Sequence, residues 1–557
     1  MGPMHGRFLG FAFAFALAVA GALTGCGKSD ETCKDGACTC ASGETDCSGT
    51  CIDMQVDPSH CGGCGMACAA GEACIDGGCQ VPCDASKLMA SIRDPWGITW
   101  DGLERTASTL DAASVDCAAF GGRLPTATEM YRVSASRSGA VGQSFQTNYL
   151  WSRTANDRVS QVTTRLSDGA TSASTAATST IPYRCVCQAA PPRTFSGARC
   201  NGPQAGGCFR WGPYNLDAED RPALRKSAAV QECVGEHAHL ADLPLLGAAI
   251  RAGLPGSNSF ITVADGSRYD MTTTIRWGGA APWEVSGNVS AVTLQTPAPF
   301  RCAGTAAPAS ISATPVANEF RPTLSPYKSE AADHPAAAWA AAHDTCWKTG
   351  GHLPRSTELA ELIGQGLPGG SGANLWTSDQ LGYNGTQFLA AVMRWTGLDR
   401  RFPFEYTGGP DLTATWAYKT DAGYPFRCIY YPIDPMFQPP ATCNGGCNVR
   451  SAGGPAVTIV FDMADRPTAT VAAAIADCAA TGGYLASERD LTEAIRDGLP
   501  NGTNAYLNTW DVGQGNVTIV NWAGVNQTFN DQYSAFMTWS DPVTPRPYRC
   551  MWTNELR

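Results

Sequence analysis

One pattern of residues occurs four times along the chain, and it constrains the fold more than any other feature of the sequence. Each copy has an Ala-rich stretch with apolar residues at helical spacing, a cysteine in that stretch, a leucine seven residues later and a closing Arg-Cys pair. The cysteines of the stretches are Cys117, Cys233, Cys346 and Cys478, and the closing ones are Cys185, Cys302, Cys428 and Cys550. We therefore predict four tandem copies of one small domain, repeats 1 to 4, at residues 83–188, 195–303, 318–430 and 440–557.

Within each repeat the sequence predicts two helices. Before the Ala-rich stretch, Asp465-Arg466-Pro467 and its counterparts are typical of an acidic N-cap followed by a proline in the first turn. After it, Gly482-Gly483 and its counterparts in two other repeats are typical of a helix C-terminus. A second helix is clearest at 357–363 and 490–495, and it ends at a Gly-Leu-Pro sequence in repeats 2 to 4. Short strands should follow.

The connections between repeats are rich in proline and alanine. They span residues 188–194, 303–317 and 431–442. Such segments are extended and semi-rigid spacers. We therefore expect the repeats to fold independently of one another.

The N-terminus predicts export. His5 and Arg7 precede an apolar run that ends in Leu23-Thr24-Gly25-Cys26, the layout of a signal peptide at residues 1–25. This ending resembles a bacterial lipobox, which implies that Cys26 is lipidated; an uncleaved anchor and a simple secretory signal are the alternatives. Gly27 follows instead of aspartate, and by resemblance to Gram-negative lipoproteins this implies the outer membrane, facing the periplasm or the cell surface.

Residues 26–82 are predicted to form the lipid anchor and a cysteine-rich stalk. The chain has 25 cysteines, so lipidation of Cys26 leaves an even number for disulfides in an oxidising compartment. Large apolar residues are nearly absent here, and cross-links must replace a hydrophobic core. The segment resembles small EGF-like modules. Cys61-Gly62-Gly63-Cys64 could be a redox or zinc pair, but the density of cysteines favours structural bridges.

The repeat resembles a known fold. Its order of elements is similar to the C-type lectin-like fold, and Gly482-Gly483-Tyr484-Leu485 resembles that fold's signature. Gly122-Arg123-Leu124-Pro125-Thr126 and the closing Arg-Cys pairs resemble two bacterial relatives, the C-terminal domain of collagen-like bacterial lectins and the formylglycine-generating, sulfatase-modifying family. The resemblance implies an α+β fold: four tandem lectin-like domains of two helices and short antiparallel strands, after an N-terminal disulfide-rich module.

The resemblance also implies which cysteines pair. In each repeat the first helix should be tied to the last strand, with further bridges at the opening turns of repeats 2 and 4 and around repeat 1. The expected pairs are Cys117–Cys185, Cys233–Cys302, Cys346–Cys428, Cys478–Cys550, Cys200–Cys208, Cys443–Cys447 and Cys83–Cys187.

Signs of catalysis or cofactor binding are sparse. Neither calcium-binding triplet of sugar-binding lectins is present, and Trp539-Ser540-Asp541 only faintly matches a later one, so a calcium site is unsupported and we predict no cofactor and no metal. Gly287-Asn288-Val289-Ser290 departs from the formylglycine-generating motif after three residues. No nucleophile elbow, phosphate loop or HExxH sequence occurs. We predict no catalytic residues.

The remaining candidates are aromatic and basic. Strand tryptophans Trp277, Trp395 and Trp522 could stack on sugar rings, although a tryptophan at a fixed place in a repeat more often packs the core. The closing arginines should pair with a carboxylate or carbonyl near the helix start. A net charge of −11 without a basic cluster argues against a nucleic acid partner.

These features together predict a non-enzymatic, lipid-anchored envelope protein that binds an extracellular or envelope ligand or mediates adhesion. A glycan is one candidate ligand. The alternatives are a structural envelope protein without a specific ligand and a degenerate enzyme of the sulfatase-modifying type.

Overall fold

A computed structural model describes most of the chain from Thr32 to Leu556. Residues 1–31, which include Cys26, and several shorter stretches lie outside the described residues; the longest are 142–147, 189–194, 279–288, 312–317, 396–411 and 523–534. The chain divides into two compact units, Met1–Ile52 and Asp53–Arg557, and each is described by itself. The first contains two antiparallel strand pairs, Thr32–Lys34 with Ala37–Thr39 and Thr45–Asp46 with Cys51–Ile52.

The second unit combines helices with many small antiparallel sheets. Its described residues contain eight α-helices, two in each repeat: α1 Leu110–Ala118, α2 Ala127–Val133, α3 Lys226–Val234, α4 Leu243–Arg251, α5 Trp339–Lys348, α6 Ser356–Gly364, α7 Val471–Ala480 and α8 Glu488–Arg496. No described helix has both the length and the apolar composition needed to cross a bilayer.

Most strands of each repeat lie before its first helix or after its second. Before repeat 1 lie Ala73–Ile75 and Gly78–Gln80, and repeat 1 opens with a short 3-10 helix at Ala85–Lys87. Repeat 1 has Ile92–Arg93, Thr99–Trp100, Arg105–Ser108, Tyr149–Ala155, Ser160–Arg165, Thr171–Ala176, Ile181–Tyr183 and Val186–Cys187. Repeat 2 has Cys208–Trp211, Tyr214–Asp217, Arg221–Leu224, His239–Leu240, Ser257–Arg268, Met271–Trp277, Val289–Thr293, Ala298–Phe300 and Cys302–Thr305.

The remaining strands lie in repeats 3 and 4 and in the connections beside repeat 3. Repeat 3 has Glu319–Phe320, Lys328–Glu330, His334–Ala337, Leu375–Tyr383, Phe388–Trp395, Leu412–Tyr418, Tyr424–Phe426 and Ile429–Tyr430, and the connections on either side of it contain Ser310–Ile311 and Pro432–Ile433. Repeat 4 has Cys447–Ala452, Val457–Asp462, Arg466–Ala469, Tyr484–Leu485, Leu507–Gly513, Asn516–Trp522, Ala535–Ser540, Arg546–Tyr548 and Cys550–Thr553. Repeats 2 and 4 each build one four-stranded and one five-stranded sheet with the same strand order.

The first helix of each repeat starts later than the sequence predicted. Asp465-Arg466-Pro467 is not an N-cap and first turn, because Arg466–Ala469 is a strand paired with the closing strand Arg546–Tyr548. Helix α7 begins after it, with the Thr470 hydroxyl accepting a hydrogen bond from the backbone N–H of Ala473 at 3.2 Å. The predicted helix ends are present, since Gly482 has a φ of 75°. At the second glycine, Gly483, the last strand, Cys550–Thr553, lies so close that there is no room for a side chain.

Seven disulfides join the repeats' cysteines, and they are the seven pairs that the resemblance implied. Four tie the first helix to the last strand: Cys117–Cys185, Cys233–Cys302, Cys346–Cys428 and Cys478–Cys550. The others are Cys83–Cys187, Cys200–Cys208 and Cys443–Cys447.

A buried arginine precedes each closing cysteine and pairs with a carboxylate or carbonyl just before the strand that leads into the first helix. The Nε pairs are Arg301–Asp220 at 2.7 Å, Arg427–Asp333 at 2.6 Å and Arg549–Asp465 at 2.8 Å. In repeat 1, where Glu104 replaces the aspartate, Arg184 donates to the backbone carbonyl of Asp101 at 3.2 Å. A second carboxylate in every repeat accepts a hydrogen bond from the closing cysteine's backbone N–H, a pattern the sequence did not reveal; these acceptors are Asp101, Asp217, Glu330 and Asp462.

Repeats 2, 3 and 4 pack against one another through their helices. Helix α3 of repeat 2 lies against α6 of repeat 3, α5 of repeat 3 lies against α8 of repeat 4, and α7 of repeat 4 lies against α4 of repeat 2. Each repeat gives its first helix to one neighbour and its second helix to the other. The contacts therefore close into a ring of three, which we call the ring.

The ring shares its hydrophobic cores between repeats. One buried cluster joins Val230 of α3 to Leu359 and Ile363 of α6, and another joins Leu246 of α4 to Ile475 of α7. The repeats therefore do not have separate cores, in contrast to what their proline-rich linkers led us to expect. The proline-rich composition of a linker limits its own conformation, whereas apolar helix faces decide whether the repeats it connects pack together.

Repeat 1 lies outside the ring. In α1 only Ala113 and Cys117 are buried, and Val115 is 70% exposed. Repeat 1 contacts repeat 2 through α2 and a strand: Ala127 and Val162 lie in the same buried cluster as Val230, and the hydroxyl of Thr128 donates to Glu232 at 2.6 Å.

Candidate functional site

A pocket lies where the ring's three repeats meet. The N-terminal ends of the second helices α4, α6 and α8 reach it together with the last strand of repeat 4. About 430 Å³ of space between its lining residues is free of protein atoms, and this figure includes open solvent. Its lining residues are Tyr214, Asp242, Pro244, Leu245, Arg355, Tyr484, Asp490, Met551, Thr553 and Glu555.

Two charged side chains of opposite sign lie at equivalent positions of neighbouring repeats. Asp242 is the N-cap of α4, and its carboxylate accepts a hydrogen bond from the backbone N–H of Leu245 at 2.9 Å. Arg355 is the N-cap of α6, held by its own backbone N–H, which donates to Glu358 at 2.7 Å. Their charged groups are 3.7 Å apart and partly exposed. The helix starts thus fix both backbones while leaving the two charged groups at the pocket.

The two other carboxylates of the pocket are engaged within the protein. Asp490 accepts hydrogen bonds from the backbone N–H and hydroxyl of Ser487, at 3.2 and 2.5 Å, and so caps α8. Glu555 accepts a hydrogen bond from the Nε2 of His352 at 2.8 Å, and both side chains are fully buried. Both carboxylates therefore have hydrogen-bond donors within the protein.

His352 also contacts a second carboxylate. Its Nδ1 lies 3.0 Å from Glu493 Oε2, so both ring nitrogens face acceptors and both must carry a proton. Burial alone would lower the pKa of His352, but Glu493 and Glu555 outweigh it and raise that pKa to about 9. The imidazole of His352 is therefore a cation at neutral pH, and it joins repeat 3 to repeat 4 behind the pocket.

Aromatic rings of repeats 2 and 4 form one side of the pocket. Tyr214 stacks against Trp211 with ring centroids 6.5 Å apart, and Tyr484 meets the same indole edge-on at 6.1 Å. Leu245 and Met551 add aliphatic surface. The pocket therefore combines aromatic and aliphatic surface with four ionisable side chains, those of Asp242, Arg355, Asp490 and Glu555.

The strand tryptophans do not line this pocket. Trp277, Trp395 and Trp522 are 2%, 1% and 1% exposed, and each lies beneath a closing arginine at 4.7 to 5.1 Å from the ring centroid. A side chain so buried offers no face to a sugar ring. The sugar-stacking role considered for these tryptophans is therefore not retained, and packing accounts for their position.

Potential metal ligands come together in two groups in the part of the chain that the structure describes, and both contain bridged cysteines. The groups are Cys61, Cys68 and Cys79, and Glu330, His334 and Cys428. The bridges involved are Cys61–Cys74, Cys68–Cys79 and Cys346–Cys428. Because metals bind the thiolate and not a disulfide sulfur, neither group makes a metal site. Cys61 and Cys64 are both bridged but not to each other, so they do not form the redox or zinc pair considered above.

The residues of the pocket were not predicted from the sequence. A weak signal exists in the repeat register: two residues after the leucine that follows the first helix stand Thr126, Asp242, Arg355 and Ser487. All four are N-caps of second helices. Charge appears at this position only in repeats 2 and 3, the two whose caps meet across the pocket.

No protein-family model matches the sequence, and no curated protein matches it.

Proposed function

We propose that this chain is a non-enzymatic, lipid-anchored protein of the bacterial cell envelope that binds a small ligand in the pocket of the ring. The observation that carries the proposal is that three repeats, far apart in sequence, each contribute side chains to one pocket. A purely structural protein has no need of a cavity with charged side chains at the junction of its repeats. A pocket with an apolar lining and a few convergent polar groups is the usual form of a binding site.

A lectin-like fold for each repeat belongs to the same proposal. It is supported by the two helices, the small antiparallel sheets and the bridge from the first helix to the last strand in every repeat. The proposed ligand site lies between repeats, so the fold acts as a scaffold and does not by itself indicate the ligand.

The enzyme alternative finds less support. Formylglycine-generating chemistry requires reactive cysteines, and all the cysteines of the four repeats are bridged. Each bridge also has a structural role at a helix, strand or opening turn. A binding function needs no free cysteine and is therefore compatible with these bridges.

Lipid anchoring has a direct test. The Leu23-Thr24-Gly25-Cys26 sequence predicts that Cys26→Ala abolishes labelling by radioactive palmitate and releases the protein from membranes. Serine substitution of Thr24 serves as the control, since it leaves the modified cysteine in place. A Cys26→Ala protein that still carries the label would contradict the anchor.

Ligand binding is tested by thermal unfolding of the full-length protein in detergent with a panel of hexoses, hexosamines and free amino acids. A ligand of the native state raises the Tm by mass action, and we expect at least one class to do so. Hydrogen exchange with that compound should then protect the start of α4 and of α8, while α1 serves as an internal control. If no compound raises the Tm, or if protection falls outside the ring, the proposed function is wrong.

A further inference from the structure

We infer that Glu232 is a two-position switch between repeat 1 and the ring, and that proton uptake by its carboxyl group favours the position in which repeat 1 stays docked. In that position Glu232 binds hydroxyl groups of repeat 1. In the other position it pairs with Arg221 of its own repeat, which leaves repeat 1 free to move away from the ring. The inference goes beyond ligand binding and does not depend on it.

The structure shows Glu232 in the docked position. Glu232 lies in α3 of repeat 2, one residue before Cys233, and is 7% exposed. The hydroxyl of Thr128 in α2 donates to one carboxylate oxygen at 2.6 Å, and the hydroxyl of Thr154 in the strand Tyr149–Ala155 donates to the other. Among the described residues Glu232 takes part in no ion pair. Its hydrogen bonds therefore come from repeat 1, and undocking breaks them.

Repeats 1 and 4 show the second position at the equivalent residue. The residue before the cysteine of the first helix is Asp116 in repeat 1 and Asp477 in repeat 4, and both carboxylates are about half exposed. Each accepts a hydrogen bond at 2.8 Å from the Nη1 of an arginine in its own repeat, Arg105 or Arg466. This pairing needs nothing from a neighbouring repeat.

Repeat 2 has the same arginine, but one of its donors has no acceptor. Arg221 donates from Nε to Asp217 at 2.6 Å, as its counterparts do, and from Nη2 to Glu236 at 3.0 Å. Its Nη1 is buried and makes no hydrogen bond within the part of the chain that the structure describes. A buried donor without an acceptor is costly. The acceptor that repeats 1 and 4 place there corresponds to Glu232, which reaches Arg221 only by leaving the hydroxyls of repeat 1.

The two positions differ in their affinity for a proton. In the docked position burial raises the pKa of Glu232, because the two hydroxyls and Arg221 compensate for burial incompletely and Glu236 adds a like charge. Direct pairing with a guanidinium favours the ionised carboxylate instead. The docked position is therefore favoured at low pH, and its advantage is lost as the pH rises through the raised pKa.

The neighbouring carboxylates of this junction behave differently from Glu232. The pKa of Glu129 in α2 is lowered to about 2 and that of Glu236 in α3 is also lowered, in each case because arginines outweigh burial. Of these three carboxyl groups, only that of Glu232 has a raised pKa. The charged groups that surround Glu232 are Arg123, Glu129, Arg132, Arg153, Arg221 and Glu236.

Hydroxyl-radical footprinting of the full-length protein in detergent, at about pH 5 and about pH 8, tests the inference. The probe is Val162 of repeat 1, which is fully buried in a cluster shared with repeat 2. Ile475, buried between two helices of the ring, is the internal reference. We expect modification of Val162 relative to Ile475 to rise at least about threefold at the higher pH, the factor that about half a pKa unit between the two positions produces. An unchanged ratio would overturn the inference.

A neutral side chain of the same shape removes the titration. In Glu232→Gln the modification of Val162 should be low and equal at both pH values, since the amide stays hydrogen-bonded to the hydroxyls of repeat 1. The matched control is Asp477→Asn at the equivalent position of repeat 4, which should show the same rise as the unaltered protein.

Other charged contacts across the junction are separated by the same comparison. The ion pairs Arg225–Asp157 and Arg137–Glu219 join repeat 2 to repeat 1 and remain in both variants. A rise in Val162 modification that persists in Glu232→Gln would assign the pH dependence to such pairs and overturn the inference.

The pairing with Arg221 has a test of its own. In repeats 1 and 4 the equivalent aspartate also accepts a hydrogen bond from a tyrosine of the closing strand, Tyr183 at 2.9 Å or Tyr548 at 2.7 Å, whereas repeat 2 has Phe300 there. Phe300→Tyr should supply this donor beside Arg221, stabilise the paired carboxylate and move the rise in Val162 modification to lower pH. A rise at the same pH as in the unaltered protein would overturn the second position.

Discussion

Arg549 shows what a buried charge requires of its surroundings. It is 1% exposed, lies 5.1 Å from the centroid of the Trp522 ring and donates to Asp465 at 2.8 Å. Burial lowers the pKa of Arg549, and Asp465 opposes that effect. The aspartate thus serves mainly to compensate a cation that the fold has removed from water.

Removing Asp465 should therefore be costly. We expect Asp465→Ala to reduce the free energy of unfolding by about 3–5 kcal/mol, because a buried arginine loses its counter-ion. The control is Asp168→Ala, which breaks the exposed pair with Arg165 and should cost at most about 1 kcal/mol. Urea unfolding of both variants measures the difference, and equal losses would contradict the role given to Asp465.

His352 makes the contact between repeats 3 and 4 depend on pH. Its folded-state pKa of about 9 lies above the value of about 6.5 expected in the unfolded chain. The stabilisation is therefore fully present below pH 6.5 and is lost as the pH rises through 9. His352 and His343 both approach Glu493, whose pKa is lowered because these histidines outweigh its burial.

We therefore predict that the protein loses stability between pH 7 and pH 9.5, by roughly 2–3 kcal/mol in free energy of unfolding from this residue. In His352→Gln the same titration should be nearly flat over that range, at a lower stability throughout. Chemical unfolding at several pH values measures both curves. Parallel curves for the two proteins would show that another group titrates.

At the scale of helices, one position of the first helix distinguishes the repeats that join the ring from repeat 1. Three residues before the cysteine of the first helix stand Ser114, Val230, His343 and Ile475. The last three belong to the ring; Val230 and Ile475 lie in its shared cores, and His343 faces Glu493 of α8. The serine belongs to α1, which no second helix covers.

Shortening one of these side chains should open one contact. We predict that Ile475→Ala costs about 2–4 kcal/mol and raises hydrogen exchange in both α7 and α4, since a cavity forms where the two helices pack. Val115→Ala in the uncovered helix α1 should change stability by less than about 0.5 kcal/mol. Faster exchange confined to α7 would mean that α4 does not depend on it.

The sequence predicted elements better than the contacts between them. The second helices expected at 357–363 and 490–495 are Ser356–Gly364 and Glu488–Arg496, because their periodicity and their stops are local. The predicted start of the first helix was wrong because Pro467 lies in an edge strand. In the sequence alone, a proline at such a position cannot be told from a proline in the first turn of a helix. The pocket was out of reach because Asp242, Arg355 and Tyr484 are brought together only by closure of the ring, which no single repeat encodes.

For the whole molecule, the ring changes what a repeat can do alone. In repeat 4, Val471 and Ile475 are 0% and 2% exposed because α4 of repeat 2 covers them. Glu493 is likewise buried against two histidines of repeat 3. The bridges Cys443–Cys447 and Cys478–Cys550 restrict the chain of repeat 4 but cover neither face.

A fragment of residues 440–557 should therefore not form a rigid domain. Its bridges limit the entropy of the unfolded chain, yet an uncovered apolar face and an unpaired Glu493 leave its packing loose, so we predict a broad thermal transition and binding of the dye ANS. The control is a fragment of residues 195–557, which keeps all three contacts of the ring and should unfold cooperatively without binding the dye. Calorimetry and dye fluorescence on the two oxidised fragments make the comparison. A sharp, dye-free transition in the shorter fragment would show that the ring assembles from repeats already folded.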